Sequence, residues 1–438
     1  MSHIFPRGSA DLPQAARGDG AYIYDDNGQR WLDGSGGAAV SCLGHGDAAV
    51  REAVKSQLDA LEFAHTAFFT SEAAETLASL LVANAPGGLE RVYLVSGGSE
   101  ATEAAVKLAR QYFIETNEPR RTRLIARRQS YHGTTLGSLS AGGHEWRREI
   151  FAPFLFDVSH VAPCYEYRGR EPGESSADYA RRAADTLETE INRLGAETVM
   201  AFIAEPIAGA SLGAVCASEG YFRRVREICD RHGVLLILDE VMCGMGRSGR
   251  LFAHEDENIA ADIVTVAKGL GGGYQPIGAM LCSAKIYDAV AGGSGVFRHG
   301  HTYSGHPVAA AAGVAVLRRI LNDDLLARVR VNGGRLDGAL REAFGQHPHV
   351  GDIRGRGLFR GLEFVRDRET REPFAAGDDI HGRLKRAAFS NGLICYPGGG
   401  CADGVRGDHV LLAPPFIIDE AQIDELVSKL VLSFREVF

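Results

Sequence analysis

Between about residues 90 and 282, short apolar runs alternate with helix-patterned stretches, and this alternation restricts the possible folds more than any other feature. A run at 91–95 precedes a helical pattern at 98–116, and a run at 123–127 precedes a short one near 134–141. Helix 178–194 leads to strand 199–204, helix 218–232 leads to strand 234–239, and strands near 263–267 and 278–282 close the series. Runs this rich in Val, Ile and Leu suit strands buried on both faces. The expected fold class is therefore α/β, with a mostly parallel sheet covered by helices on both faces. In such sheets ligands bind in the loops that leave the carboxyl ends of the strands. Residues 143–177 interrupt the pattern and read as less regular.

The flanks have a different character. Tyr22 to Leu32 reads as a hairpin turning at Asn27-Gly28. A small-residue loop follows, Gly34 to His45, whose backbone can lie against a ligand, with Ala38 the residue placed at a substrate. Helical patterns at about 47–62 and 71–84 come next, the second opening on a Thr70-Ser71-Glu72 capping signal. A long helical stretch at roughly 306–345 breaks at Asn322-Asp323-Asp324. Beyond it, Val350 to Val365 alternates as an antiparallel pair would, and helix 377–390, strands near 393–396 and 409–413, and helix 419–435 end the chain. The expected organisation is a large domain over 61–320 and a smaller α+β domain, built from the N-terminal segment 1–60 and the C-terminal part 321–438.

Composition excludes several classes of function. A net charge of −9 without a basic block disfavours nucleic acid as a partner. Eight cysteines form no C-x-x-C pair, as expected of reduced thiols in the cytosol. The start, Met1 to Gly8, has no signal-peptide core, and the longest apolar run, Val308 to Leu317, is too short for a membrane span. A cytoplasmic protein without a membrane partner is expected.

The chemistry gathers at the strand ends. The run Ile263 to Val266 ends on Lys268, followed by Gly269, Gly271, Gly272 and Gly273. A desolvated lysine on a rigid strand end, beside backbone that admits a ligand closely, is how a Schiff-base amine is presented. Taken alone, it reads more simply as a solvated lysine before a flexible loop. Val234 to Leu238 ends on Asp239 and Glu240. A carboxylate at that depth needs a cation or several donors, and a protonated pyridine ring would supply one. At ~4 Å and an effective dielectric of ~20 the pair is worth about 4 kcal/mol, or roughly 3 pKa units, enough to keep a pyridine protonated. Metal ligation by both acids is the rival reading, but adjacent strand residues point to opposite faces.

Ser96-Gly97-Gly98-Ser99 joins a strand to a helix, and free N–H groups at a helix start bind phosphate; a plain serine cap is the alternative. Tyr131-His132-Gly133 follows another strand, where the aromatic ring is placed to stack on a planar cofactor or to fill the core. Glu205 again ends a strand with a carboxylate and joins the catalytic candidates. The histidines at 299, 301 and 306 lack an acid or cysteine spaced to complete a metal site, so no metal is expected.

Lys268 bonding an aldehyde, Asp239 holding a pyridine nitrogen, and Gly98 with Ser99 taking a phosphate all fit one ligand, pyridoxal 5'-phosphate. The chain also resembles the class III (omega-type) aminotransferases, of the fold-type-I group of pyridoxal-phosphate enzymes. The resemblance runs in order through Leu43-Gly44-His45, Gly97 to Ala101, Tyr131-His132-Gly133, Glu205-Pro206, Asp239-Glu240-Val241, Ala267-Lys268-Gly269 and His301 to Gly305. It implies that Tyr131 and Val241 sandwich the ring, with His132 beside them. It also implies that Thr302 reaches the phosphate of a neighbouring subunit, which makes a homodimer or a larger assembly. Thr134, where gamma-aminobutyrate and acetylornithine members usually carry Arg, and Met242-Cys243-Gly244 depart from those members. Arg406, ahead of Pro414-Pro415, is then the candidate to bind a substrate carboxylate, as omega-type relatives place a swinging Arg near a similar pair.

The expected function is transfer of an amino group from a primary amine, often a terminal one, to a 2-oxo acid such as pyruvate or 2-oxoglutarate. An epimerase, an aminomutase or a decarboxylating transaminase would share these motifs. A cofactor-binding regulator would need a basic DNA-binding segment, and none is present.

Overall fold

The computed structural model describes residues 3–5 and 12–438. At its centre is a seven-stranded sheet in the order Leu89–Val95, Gly278–Ser283, Ile263–Val266, Leu235–Asp239, Val199–Ala204, Arg123–Arg127, Val158–Val161. Every neighbouring pair is parallel except those made by Gly278–Ser283, which runs antiparallel to Ile263–Val266 and to Leu89–Val95. The chain between Val266 and Gly278 holds only a short 3-10 turn, Lys268–Leu270, too little for the crossover that a parallel return needs.

Each residue of Val199–Ala204 and Leu235–Asp239 is buried, so these central strands have no solvent face and read as continuous apolar runs. Helix Gly98–Glu115 packs an Ala-rich face, Ala101, Ala104, Ala105 and Ala109, against the sheet. Helices Ser176–Leu194 and Tyr221–His232 pack on each other, and the second stops at Gly233 in the left-handed region. Strand Val158–Val161 falls inside the stretch read as less regular; its middle residues are half-buried at the sheet edge, so its apolar signal is weak.

Three strands from the N-terminal part, Ala15–Asp19, Tyr22–Asp25 and Arg30–Asp33, form an antiparallel sheet. Leu393–Ile394 adds to it in parallel, pairing with Leu32 and Asp33, so the two ends of the chain share one sheet. The hairpin turns where expected, with Gly28 at φ +83°. A second four-stranded antiparallel sheet runs Val350–Arg356, Phe359–Phe364, Asp408–Leu412, Tyr396–Gly399.

The caps match the chain's local chemistry. The carboxylate of Asp47 accepts from Ala49 N and Val50 N to start helix Ala48–Ala60, and Ser71 Oγ accepts from Ala74 N to start Glu72–Asn84. The long C-terminal helical stretch divides into Pro307–Asn322 and Leu325–Phe344, with Asp324 left-handed between them.

Candidate active site

The loops leaving the parallel strands converge on a cleft of about 260 Å³. It receives Ser96 to Ser99 after Leu89–Val95, Tyr131 to Gly133 after Arg123–Arg127, Glu205 after Val199–Ala204, and Lys268 after Ile263–Val266. Asp239 closes its own strand with its carboxylate in the cleft, 3% exposed. Glu240 points the other way, as strand alternation requires, and accepts from Ala253 N (2.5 Å) and from His254 N (2.8 Å).

Asp239 is held on both oxygens. Its Oδ2 lies 2.7 Å from His132 Nδ1 and its Oδ1 accepts from Val241 N at 3.0 Å. His132 therefore stands beside Asp239 and fixes where the carboxylate points. Glu205 accepts from Tyr131 N (3.1 Å) through one oxygen and from Gly209 N (2.9 Å) through the other. Burial raises its carboxyl above the usual range. Tyr131 N thus ties Glu205 to the Tyr131 loop at the wall of the cleft, while Gly209 N, from Glu205's own segment, fixes the other oxygen.

Lys268 sits at φ +46°, a left-handed conformation that costs a non-glycine residue about 1–2 kcal/mol. The strand cannot continue through that backbone, and the side chain enters the cleft, where Nζ donates to Ala38 O at 3.0 Å. Burial lowers its ammonium from 10.5 to about 8, against the opposing pull of Asp239 and Glu205. Burial thus frees a larger share of the amine near neutral pH than a solvated lysine would offer, and most of it above about 8.

The helix start forms the other end. Helix Gly98–Glu115 makes its first backbone bond from Ala101 N to Gly97 O, which leaves the N–H groups of Gly98 and Ser99 without acceptors in the helix. Ser96 N is taken by Glu100 Oε2 at 2.8 Å, so the open donors begin at Gly98. A Cβ on Gly98 would stand 2.6 Å from Val241 Cγ1, so glycine lets the Val241 side chain lie directly against the helix start. Ser99 Oγ accepts from Thr134 N at 3.1 Å and joins this helix to the Tyr131 loop.

A planar ring carrying an aldehyde, a basic nitrogen and a phosphate fits this donor set. Open N–H groups lie at one end, a buried carboxylate braced by His132 is in the wall, and an amine made nucleophilic by burial is within the same cleft.

Other expected residues lie outside it. Thr302 is exposed and does not line the cleft of its own chain. Arg406 lies on an exposed turn, with Nε donating to Asp403 Oδ2 (2.8 Å) and an Nη to Glu372 (3.3 Å), and it does not line the cleft either. The motif reading passed over Gln275, Pro276 and Ile277, which line the cleft because they precede the one antiparallel strand and so reach the same sheet edge. The short connection after Val266 was the available signal. Val40 also lines the cleft, and so does Met242, which the sequence marks only as a departure from the gamma-aminobutyrate and acetylornithine members.

Comparison with known proteins agrees with this geometry. The Aminotransferase class-III family model matches residues 5–434. An aminotransferase of Gibberella zeae is 45% identical over 412 residues, covering 93% of this chain and 81% of that one. The uncharacterized aminotransferase YodT of Bacillus subtilis is 40% identical over 425 residues, 97% of this chain and 95% of its own length. The crystal structure of a thermostable (S)-enantioselective omega-transaminase from Thermomicrobium roseum superposes with a TM-score of 0.93 at 34% identity, covering 100% of this chain and 96% of the other. Since the family match extends over nearly the whole chain and the strand-end cleft has the donors the cofactor requires, this protein belongs to the class-III aminotransferases, fold-type-I enzymes that use pyridoxal phosphate.

Proposed function

We propose that this transaminase moves an amino group from a primary amine, terminal amines included, to a 2-oxo acid such as pyruvate or 2-oxoglutarate. The observation that carries the reading is the meeting of Lys268 Nζ, the braced Asp239 carboxylate and the open start of helix Gly98–Glu115 in one cleft. Pyridoxal phosphate, when bound, supplies the carbonyl that takes the amino group and an electron-withdrawing ring. Lys268 would hold it through Nζ until the substrate's amino group displaces that nitrogen, and the freed Nζ would take a proton from the substrate carbon that bears the nitrogen and return one in the reverse half-reaction. Asp239, held by His132 and Val241 N, keeps a proton on the ring nitrogen by its charge. Gly98 and Ser99 would offer N–H groups to the phosphate, while Tyr131 and Val241, which line the same cleft, would hold the ring. Glu205 positions Tyr131 through the backbone, and Ala38 holds Lys268 Nζ by its carbonyl and borders the substrate.

The working unit in this reading is a homodimer in which Thr302 serves the phosphate of the partner's site. Its exposure, beside Tyr303 at 60% exposed and in a chain whose Phe68 and Phe69 are 80% and 68% exposed, supports an extensive covered face. The division into 1–60, 61–320 and 321–438 is supported by the pairing of Leu393–Ile394 with Leu32 and Asp33. A cytoplasmic location is supported by eight free cysteines, all of them with thiols that burial raises, Cys42 up to about 11. No helix among the described residues is long and apolar enough to cross a membrane.

The test is a panel of amines and 2-oxo acids with purified holoenzyme, read for stoichiometric amine consumption and amino-acid formation. Turnover that needs no oxo acid would refute the proposal.

A further inference from the structure

A second cavity, of about 460 Å³, is bordered by His144, Trp146, Arg147, His381 and Tyr396. Arg147 connects it to the first. Its guanidinium carbon stands 4.9 Å from the ring centroid of Tyr131, which lines the Lys268 cleft.

The cations around the two cavities differ in what already holds them. His132 is paired with Asp239, and His381 with Asp408 at 2.5 Å. His144 is kept neutral, its pKa lowered by burial and then by Arg147 itself. Lys268 belongs to the cofactor in the reading above. Arg406 is tied to Asp403 and Glu372. Arg148, next in sequence, donates to the carbonyls of Leu139 (2.9 Å), Ser140 (2.6 Å) and Gly142, and so pins the turn that carries Arg147.

Arg147 makes no ion pair among the described residues, although Glu145 and Glu149 border the same cavity, and, unlike Lys268 Nζ and the Arg148 guanidinium, its guanidinium is not held by backbone carbonyls of those residues. Its Nε is buried without a hydrogen-bond partner among the described residues. A buried guanidinium N–H left unpaired is unfavourable, and a planar fork resting on an aromatic face suits a carboxylate.

We propose that Arg147 receives the carboxylate of the substrate acid, the 2-oxo acid in one half-reaction and the amino acid in the other, and that Arg406 does not. The assignment rests on the transamination reading of the cleft. It makes the substrate class on that side of Tyr131 anionic and leaves a carboxylate-free amine to bind by apolar contact.

The experiment titrates holoenzyme with two unreactive acids, glutarate and propionate, by calorimetry, and then measures KM and kcat for pyruvate, 2-oxoglutarate and a carboxylate-free aldehyde. In Arg147→Met, binding of at least one acid weakens about tenfold or more, the scale of a lost charge-assisted pair. The ratio of kcat/KM for the oxo acid to that for the aldehyde falls by a similar factor, mainly through KM. Arg147→Lys recovers part of both losses, and Arg406→Ala changes neither acid's affinity. The proposal is overturned if Arg147→Met binds both acids like the wild type. It is also overturned if acid and aldehyde lose equally, which would mean that Arg147 only supports Tyr131, or if Arg406→Ala carries the loss. Should the wild-type enzyme transaminate no substrate, the reading of the cleft fails, and the titration still decides the role of Arg147.

Discussion

Asp239 and His132 come together across 107 positions of sequence, with Oδ2 and Nδ1 2.7 Å apart and side chains 3% and 0% exposed. The imidazole has no solvent on any side, and its Nε2 has no hydrogen-bond partner among the described residues. Its bond to Asp239 therefore fixes both side chains.

Two substitutions separate charge from position. Asp239→Asn keeps the shape but removes the charge, so cofactor should still bind while turnover falls at least about a hundredfold, as an attraction of about 3 kcal/mol or more disappears. His132→Asn leaves the charge but loosens it, which costs about 1–2 kcal/mol in cofactor affinity. Equilibrium dialysis against pyridoxal phosphate and steady-state rates distinguish the two. Near-normal turnover in Asp239→Asn would remove the electrostatic argument.

Lys268 gives a prediction in pH. With its ammonium lowered to about 8, the free amine is scarce below that value and abundant above it. The rate at which apoenzyme takes up pyridoxal phosphate should climb with pH and level off above about 8. Stability follows from the same shift. Between about 8 and 10.5 the unfolded chain holds a proton on Lys268 that the folded chain has released, so the stability of the apoenzyme rises with pH across that window. Urea midpoints of the apoenzyme should rise over this range, and those of Lys268→Met should lack that increment. Borohydride should fix the cofactor to the Lys268 peptide; attachment at another lysine would refute the assignment.

What could be read from the chain was whatever is local. Lys268, Asp239 and Glu205 each follow an apolar strand, and Gly98 sits in a strand-to-helix turn, so short stretches were enough. The partner relations depend on tertiary placement. Glu205 bonds the backbone of Tyr131 across 74 positions, and Gln275 enters the cleft only because the strand after it runs backwards. Arg147 lies in a stretch without clear periodicity, and its importance arises from its placement over Tyr131, a tertiary contact. Arg406 was singled out by its distance from Pro414-Pro415, but Asp403, three residues earlier, and Glu372 bind it at the surface.

Gly98 tests the cradle by size. An added Cβ would meet Val241 Cγ1 at 2.6 Å, and the helix start cannot retreat because its Ala-rich face is buried. Gly98→Ala should keep the fold and weaken cofactor retention about tenfold or more, since overpacking costs about 1–3 kcal/mol. Shortening the opposing side chain in Gly98→Ala/Val241→Ala should recover part of that affinity. A single variant that holds cofactor like the wild type would show that the two residues do not shape the site.

The last prediction concerns Thr302 and the face around it. The residue is exposed and absent from its own cleft, while a neighbouring hollow bordered by Tyr303, Gly305 and His306 shares Ser96, Gln275, Pro276 and Ile277 with that cleft. A hydroxyl delivered from a second copy at this point would lie near the open end of helix Gly98–Glu115. The apolar residues available for burial support such an approach, since Tyr303 packs edge-on against Phe63 at 5.8 Å while remaining largely exposed, and Phe68 and Phe69 are also exposed. Burying such aromatic area contributes about 25 cal/mol per Å², so a charge placed there should separate the copies. Thr302→Ala should leave the assembly intact and weaken cofactor retention by about 1 kcal/mol, the value of one neutral hydrogen bond. Phe69→Asp should shift the protein toward monomer on light scattering and lose cofactor together with the assembly. Mixing Thr302→Ala with Lys268→Ala provides the decisive arm. If Thr302 acts across the interface, a mixed dimer has its intact Lys268 site fed by an intact Thr302 from the other copy, and cofactor retention at that site returns to the wild-type value. If Thr302 acts within its own chain, every active site in the mixture keeps the weakened retention.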